Sequence, residues 1–403
     1  MGGYAAVLAV AVATTLLATP VVRWLAVRFG AVVAPSADPR HVHARPTPTL
    51  GGAAMFCGFL AAIAVASRIG QFHEMFEDNS EPFGLVLAAG VIFVVGMLDD
   101  LLDVSPPAKL AGQVLAAGLL VMFGVQMFYF RMPFDLFGTD TLVLSPDMAP
   151  LVTAGWVVLM TNAINLIDGL DGLAAGIVAI AGAALFLFAD QLFEAGALEG
   201  SNIAPLVSIV AVGVCLGFLP WNWHPARIIM GDAGALFLGL LLAVPTITIG
   251  GRTDFEFSGS TYFFFAPLMI PLVILGVPIV DVVFSFVRRV ANRQRWHLAD
   301  AGHLHHRLMR LGHGTRRAVV ILWAWTAILS GVALLPVYTN EGNALVPFVV
   351  AALALGLFVW FHPGVREGRQ RAGRGRAGAA AAGDGEQGAD AVVDLDAARR
   401  RRA

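Results

Sequence analysis

The chain has 403 residues, of which 58% are apolar and only 13% are charged, and its mean hydropathy is +0.75. A water-soluble fold of this length cannot bury so much apolar surface, so the composition excludes a soluble globular protein. It predicts instead an all-α protein that crosses a membrane several times. The formal net charge of -2 excludes little, because the charges are segregated along the chain.

Apolar runs near the length of about 20 residues that crosses the hydrocarbon layer recur along the chain. All but three of the 26 lysines and arginines fall in loops on one side of the resulting topology or in the C-terminal tail. Because basic residues favour the cytoplasmic side, this asymmetry predicts an N-terminus outside and a cytoplasmic C-terminus. The predicted spans, about eleven in number, are residues 4–22, 49–67, 83–98, 108–127, 149–164, 172–189, 203–219, 233–249, 262–285, 318–337 and 344–361.

The sequence divides into two parts. Residues 1–363 hold every predicted span and every polar cluster, and they form a transmembrane catalytic domain in this interpretation. Residues 364–403 consist mostly of glycine, alanine, arginine and acidic residues, with few bulky apolar side chains. Such a composition predicts a disordered cytoplasmic tail.

The first polar cluster, Asp99-Asp100-x-x-Asp103, lies at the end of the third predicted span. Asp99 and Asp103 share a helix face because they are four residues apart. Three carboxylates so close together repel one another unless a divalent cation or a proton compensates. A solvated helix cap is the structural alternative, but a cap needs one acid rather than three.

The next two clusters supply further oxygen ligands. Asn162, Asn165 and Asp168 recur every third residue at the end of the fifth span, and Asp171 follows in a glycine-containing turn. Amide and carboxylate oxygens suit Mg²⁺, which shares its ligands with water and substrate phosphates. A plain polar turn is the alternative. Gly231-Asp232-x-Gly234 opens the eighth span, where Asp232 fits either a helix N-cap or a metal ligand.

The last polar positions lie in or after the ninth span. Asp281 is inside that span, where it either serves function or pairs with a following arginine. His303, His305, His306 and Arg307 belong to a basic loop, and imidazole and guanidinium groups bind phosphate oxygens. A zinc site is the alternative, although no cysteine lies near this loop.

Together these features predict phosphoryl transfer between a water-soluble phosphorylated donor and an acceptor in the membrane. Lys109, the only lysine in the chain, is a predicted phosphate contact beside the acids. The sequence contains neither GxxxxGK[ST] nor a GxGxxG after a strand, so the usual soluble nucleotide-binding devices are absent. An ion-coupled transporter is the alternative class. It would place acids at the bilayer midplane and show an internal repeat, and the sequence shows neither.

Five motifs in order resemble the polyprenyl-phosphate N-acetylhexosamine-1-phosphate transferases over about residues 35–317. The motifs are His43-x-x-Pro46-Thr47-Pro48-x-x-Gly51-Gly52, Asp99-Asp100-x-x-Asp103, Asn162–Leu173, Gly231-Asp232-x-Gly234 and His303-Leu304-His305-His306-Arg307-Leu308. Ala235 departs from the Ser or Thr that relatives usually have. The resemblance implies transfer of N-acetylglucosamine-1-phosphate from UDP-N-acetylglucosamine to undecaprenyl or decaprenyl phosphate, with release of UMP, at the cytoplasmic face of the plasma membrane. A phospho-N-acetylmuramoyl-pentapeptide transferase is the alternative within the family.

The resemblance also implies roles for individual residues. Asp232 matches a magnesium ligand, with Asn165 as a second metal contact, and Mn²⁺ is a substitute for Mg²⁺. Asp99 and Asp100 match an acidic pair that deprotonates or orients the lipid phosphate, so the implied catalytic residues are Asp99, Asp100 and Asp232. The implied substrate-binding residues are Lys109, Asn162, Asp168, Asp171, His303, His305, His306 and Arg307.

Within that set, Asp171 matches the position that reads the uracil ring, and the loop from His303 to Arg307 matches the segment over the donor sugar and diphosphate. We therefore expect a UDP-N-acetylhexosamine, a polyprenyl phosphate and the lipid bilayer as partners, and no nucleic acid. The sequence leaves open whether the protein is a homodimer.

Overall fold

A computed structural model describes residues 2–33, 46–131, 141–250, 276, 308–309, 314–339 and 346–361. The described chain is almost entirely helical. Its helices are α1 (Gly2–Arg28), α2 (Gly51–Ala66), α3 (His73–Glu77), α4 (Glu81–Leu102), α5 (Pro106–Met122), α6 (Met148–Ile167), α7 (Leu173–Glu194), α8 (Ala204–Asn222), α9 (Gly231–Gly250), α10 (Thr315–Thr339) and α11 (Val346–Phe361).

Two short antiparallel ladders, which were not predicted from the sequence, interrupt the helices. Strand β1 (Val32–Val33) pairs with β2 (Thr47–Pro48), and β3 (Tyr129–Arg131) pairs with β4 (Thr141–Val143). The β1–β2 ladder brings the chain from the end of α1 to the start of α2. It is continued by a bond from Thr49 N to Ala31 O at 3.0 Å.

The predicted all-α, multi-pass membrane fold is confirmed. Ten of the predicted spans coincide with helices, and the other, 262–285, lies outside the described residues apart from Gly276, as does the tail 364–403. Seven helices in the described ranges are long and apolar enough to cross a membrane, and α2 with its bent continuation over Gly70–Glu77 is a candidate eighth. Helix α5 and the apolar part of α11 are shorter. The 17 residues of α5 cover about 25 Å, less than a hydrocarbon layer of about 30 Å.

Apolar side chains cover the outside of the bundle. Leu17 is 70% exposed, Leu151 is 66% exposed and Leu353 is 62% exposed. In water such a surface would be an aggregation hazard, whereas hydrocarbon solvates it at no cost. These residues therefore mark the faces that contact lipid.

Helix α9 is the centre of the bundle. It packs against α4, α6, α8 and α2, and nearly all of its side chains are buried. An aromatic cluster joins it to α2 and α4: the rings of Phe56 and Phe93 stack with centroids 4.4 Å apart, and Phe237 meets Phe59 edge-on at 5.4 Å. Trp156 of α6 donates from Nε1 to Thr246 Oγ1 of α9 at 2.6 Å.

Small residues let the neighbouring backbones approach α9 closely. A Cβ on Gly96 of α4 would lie 2.5 Å from Ala233 Cα, and a Cβ on Gly52 of α2 would overlap the backbone nitrogen of Gly234. Close backbone contact of this kind is a usual way for helices to associate in membranes, because van der Waals packing replaces the hydrophobic driving force. The glycines thereby bring the ends of α2 and α4 to the first turn of α9.

We expect Gly96→Ala to disturb the packing of α4 against α9, because the added methyl group would collide with the backbone of α9 rather than with a movable side chain. Overpacking of this kind costs about 1–3 kcal/mol, so the thermal unfolding midpoint in detergent should fall by several degrees. Gly90→Ala is the matched control on the same helix, since a Cβ there would meet nothing within 4 Å. Equal midpoints for the two variants would contradict the close contact between α4 and α9.

Candidate active site

The first turn of α9 is held by a carboxylate from another helix. Asp100, near the end of α4, accepts bonds from Asp232 N at 2.8 Å and from Ala233 N at 3.1 Å, one to each carboxylate oxygen. Gly231 before them has a φ of 71°, and a Cβ at this position would overlap the Asp100 carboxylate. The first N–H groups of a helix have no partner within the helix and favour a negative charge. Asp100 therefore fixes where the side chain of Asp232 lies.

Four side chains from four helices meet beside this turn, and we call Asp99, Lys109, Asn165 and Asp232 the Asp232 cluster. Lys109 Nζ lies 2.7 Å from Asp99 Oδ2 and 2.6 Å from Asp232 Oδ2. Asn165 Nδ2 donates to Asp232 Oδ2 at 3.2 Å, and Val104 N donates to Asp99 Oδ1 at 3.1 Å. The ammonium thus bridges two half-buried carboxylates that would otherwise repel each other.

The Asp232 cluster offers the oxygen ligands that a hard cation prefers. Carboxylate and amide oxygens suit Mg²⁺, which usually keeps several waters and takes its remaining ligands from substrate phosphates. The bridging ammonium shows that positive charge is stabilised between Asp99 and Asp232. Within the described ranges, no three Asp, Glu, His or Cys side chains converge closely enough to hold a metal ion. A magnesium site that takes its remaining ligands from water and substrate stays a prediction.

Asp168 lies in the negative field around the Asp232 cluster. It follows α6 directly, and burial raises the pKa of its carboxyl to about 8, helped by the nearby carboxylates of Asp232, Asp100 and Asp171. Burial and these neighbouring charges both disfavour the ionised form of Asp168. The protonated form of Asp168 is therefore favoured at neutral pH.

Asp171 is tied to the loop between α8 and α9. Its side chain is only 4% exposed, and Oδ2 lies 2.7 Å from His224 Nδ1 and accepts a bond from Ala226 N at 3.0 Å. The neighbouring Gly172 N donates to Asn222 Oδ1 at 2.9 Å, and Asn222 Nδ2 donates to Ile228 O at 3.1 Å. This loop leads into Gly231, so the turn after α6 and the start of α9 are held as one unit. A role for Asp171 in reading the uracil ring stays a prediction.

The structure separates the two amides that the sequence pattern groups together. Asn165 contacts Asp232, whereas Asn162 Nδ2 donates to Gln113 Oε1 at 2.8 Å and to Val158 O at 2.7 Å. Asn162 therefore connects α6 to α5. Its substrate-binding role stays a prediction, as does the role of Asp100 toward the lipid phosphate, since both oxygens of Asp100 bind α9.

Some predicted site residues lie outside the described residues, and the structure adds others. Those outside are His43, Asp281, His303, His305, His306 and Arg307. The added residues, which the sequence did not predict, are Gln113, Asn222 and His224. Asn222 and His224 did carry a signal, because they are polar residues between the end of an apolar span and the Gly231-Asp232 motif.

The polar residues gather at one end of the bundle. The C-terminal ends of α4, α6 and α8 meet the N-terminal ends of α5, α7 and α9 there, as the bonds among Asp100, Lys109, Asn165, Asn222 and Asp232 show. The end of α1 joins them through a bond from Arg23 Nε to Arg227 O at 3.1 Å. The site is therefore open to water at the boundary of an apolar bundle.

Comparison with known proteins defines the class. A profile described as glycosyl transferase family 4 matches residues 82–250, which include the whole Asp232 cluster. The decaprenyl-phosphate N-acetylglucosaminephosphotransferase of Mycolicibacterium smegmatis is 35% identical over 357 residues, which are 88% of this chain and 87% of that protein. The chain therefore belongs to the glycosyl transferase family 4, and the resemblance carried by its five motifs is confirmed.

Two further relatives mark the range of the family. A probable undecaprenyl-phosphate N-acetylglucosaminyl 1-phosphate transferase of Bacillus subtilis is 36% identical over 315 residues, 78% of this chain and 79% of that protein. The phospho-N-acetylmuramoyl-pentapeptide-transferase of M. smegmatis is 30% identical over 359 residues, 80% of this chain and 93% of that protein. All three relatives are named as transferases, so the protein is an enzyme of this class rather than a transporter.

The Asp100→Asn variant tests the hold on α9. The amide would turn an N–H group toward one backbone N–H of α9, so the variant should lower both the melting temperature and the turnover rate. A bond to a charged group is worth about 1.5–3 kcal/mol, and we expect a loss of that order. Asp103→Asn is the control, because Asp103 is exposed, three residues further along, and its φ of 55° suits asparagine. Wild-type stability of Asp100→Asn would show that the cap is unimportant.

Proposed function

We propose that the protein transfers N-acetylglucosamine-1-phosphate from UDP-N-acetylglucosamine to a polyprenyl phosphate, either undecaprenyl or decaprenyl phosphate. The products would be polyprenyl-diphospho-N-acetylglucosamine and UMP, in the first membrane step of a cell-wall or surface glycan. The observation that carries the proposal is the Asp232 cluster, where four helices bring two carboxylates, an amide and the only lysine together at one end of an apolar bundle. A lipid phosphate and a water-soluble nucleotide sugar can meet at such a boundary.

Asp99 and Lys109 have separate roles in the proposed transfer of the phosphoryl group. In the proposed reaction an oxygen of the lipid phosphate attacks the β-phosphorus of the donor, and the bond from that phosphorus to the bridging oxygen breaks, so that UMP leaves. Asp99 lies beside Lys109 and is placed to orient or deprotonate the lipid phosphate. Lys109 supplies positive charge to a phosphate oxygen.

Asp232 and Asn165 would hold Mg²⁺, or Mn²⁺ in its place, and this ion would neutralise charge on the donor diphosphate. Asp100 keeps Asp232 in position through the backbone of α9. The loop from Trp223 to Met230 keeps Asp171 and Asp232 in a fixed relation, because His224 and Ala226 bind Asp171 at one end of the loop.

A direct assay tests the proposal. Purified full-length protein with polyprenyl phosphate and Mg²⁺ should release UMP from UDP-N-acetylglucosamine and yield the expected lipid product by mass spectrometry. UDP-N-acetylmuramoyl-pentapeptide, supplied in competition, should not be consumed. Preference for the pentapeptide donor would assign the protein to the peptidoglycan branch instead.

In the same assay Asp232→Asn should lower UMP release by more than about 100-fold, because even residues behind metal ligands are worth 10–100-fold. Asp190→Asn, in a residue at the other end of the bundle, is the control. If Asp232→Asn turned over normally at saturating Mg²⁺, the proposal that Asp232 is a magnesium ligand would be wrong.

We also propose that the site faces the cytoplasm and that the membrane is the plasma membrane. Most arginines of the described residues, and the lysine, lie at the end of the bundle that holds the Asp232 cluster. Arg68, Arg131 and a group of acidic residues lie toward the other end: Glu74, Glu77, Asp190, Glu194 and Glu199. This asymmetry supports an inward-facing site, since short cytoplasmic loops are enriched in basic residues.

Cysteine labelling checks this orientation. In a Cys57→Ala background, which leaves only the buried Cys215, a membrane-impermeant maleimide should label Glu199→Cys in intact cells. It should label Arg28→Cys only after the cells are made permeable. Both positions are exposed, and they lie at opposite ends of the bundle. The reverse pattern would place the site on the outer face.

A further inference from the structure

Lys109 holds one carboxylate oxygen of Asp232 and one of Asp99. Its Nζ lies 2.6 Å from Asp232 Oδ2 and 2.7 Å from Asp99 Oδ2, and Asn165 also donates to Asp232 Oδ2. Mg²⁺ binds carboxylate oxygen at about 2.1 Å, so an ion on this oxygen would lie against the ammonium. Two cations at that separation repel each other strongly in a half-buried site. The Lys109 ammonium and a metal ion on Asp232 Oδ2 therefore compete.

We propose that Lys109 is a displaceable counter-ion, so that its ammonium neutralises Asp99 and Asp232 until a divalent cation takes its place. The inference rests on the proposed function, because it needs the magnesium site. The released ammonium is then the positive charge that meets the donor phosphates. The Lys109 ammonium thus pairs first with the carboxylates of Asp99 and Asp232 and afterwards with a donor phosphate.

The position of Lys109 in the fold suits such a movement. Its backbone lies in the first turn of α5, fixed by bonds to Ser105 O from Ala108 N at 3.0 Å and Lys109 N at 3.1 Å. Its side chain is a flexible four-carbon stem with a compact head, and only the head has to move. The Asp232 backbone stays bound to Asp100 meanwhile, so release of Lys109 leaves the frame of the site intact.

The wild-type chain allows a direct test because Lys109 is its only lysine. Full-length protein in detergent, without donor, is treated with an amine-acylating reagent while Mn²⁺ is titrated, and labelling is followed by peptide mass spectrometry. Electron paramagnetic resonance on the same samples reports bound Mn²⁺. We expect labelling of Lys109 to accelerate several-fold as Mn²⁺ binds, while labelling of the N-terminal amine stays constant.

Each outcome separates the inference from the proposed function. Bound Mn²⁺ with unchanged or slower labelling of Lys109 would overturn the counter-ion role and leave the metal site standing. Failure of Mn²⁺ to bind at all would overturn both. Faster labelling of both amines alike would show general opening of the protein and would also overturn the inference.

Variants give an independent readout. Lys109→Met removes the competing charge, so the Kd for Mn²⁺ should fall by about tenfold or more, while the metal-free protein should melt at a lower temperature and recover as Mn²⁺ is added. Lys109→Arg keeps the charge and should not tighten Mn²⁺ binding. Arg28→Gln removes an exposed cation from the same end of the bundle and should leave the Kd within about twofold, as expected for a screened surface charge. If Lys109→Met left the Kd unchanged or raised it, Lys109 would be only a substrate contact; if that variant fails to fold, the labelling result decides alone.

Discussion

The pair of bonds from the first turn of α9 to the Asp100 carboxylate is the constraint on which the site depends. The first N–H groups of a helix have no partner within the helix and need one elsewhere. A carboxylate from α4 meets that need and holds two helices in one register. Asp232 points into the cluster because its own backbone is held this way, so a contact that stabilises the fold also sets the geometry for chemistry.

Close packing makes this constraint possible. Gly96 and Gly52 allow the backbones of α4 and α2 to lie against the first turn of α9, and larger residues would move Asp100 out of reach of the N–H groups. The charged residues sit at the ends of helices because ionised groups are costly in hydrocarbon. Glycine contacts inside the bundle and carboxylates at its end therefore belong to one arrangement, in which apolar packing determines where the charges meet.

Much of this arrangement could be predicted from the sequence. The lengths of the apolar runs located the helices, because a helix that crosses the hydrocarbon layer needs about 20 apolar residues. The positions of the acidic clusters indicated that they gather at one end of the bundle. Periodicity gives the face of a helix but not its partner, so it could not separate Asn162, which binds Gln113, from Asn165, which binds Asp232. It also could not show that Asp100 caps α9, since that bond joins residues more than a hundred positions apart. The role of His224 was missed for the same reason.

The charge balance of the site argues that it is built to be completed by its substrates. Two carboxylates of the Asp232 cluster face one ammonium, so the ionised cluster keeps a negative excess. An anionic donor would be repelled by that excess on its own, and a divalent cation would be attracted. The positive charge of the metal ion and the negative charge of the donor nearly cancel, so the two together bring little net charge into the site. In the proposed reaction such a site would admit the nucleotide sugar only with its cation, and it would place the transferred phosphorus within reach of Lys109 and Asp99.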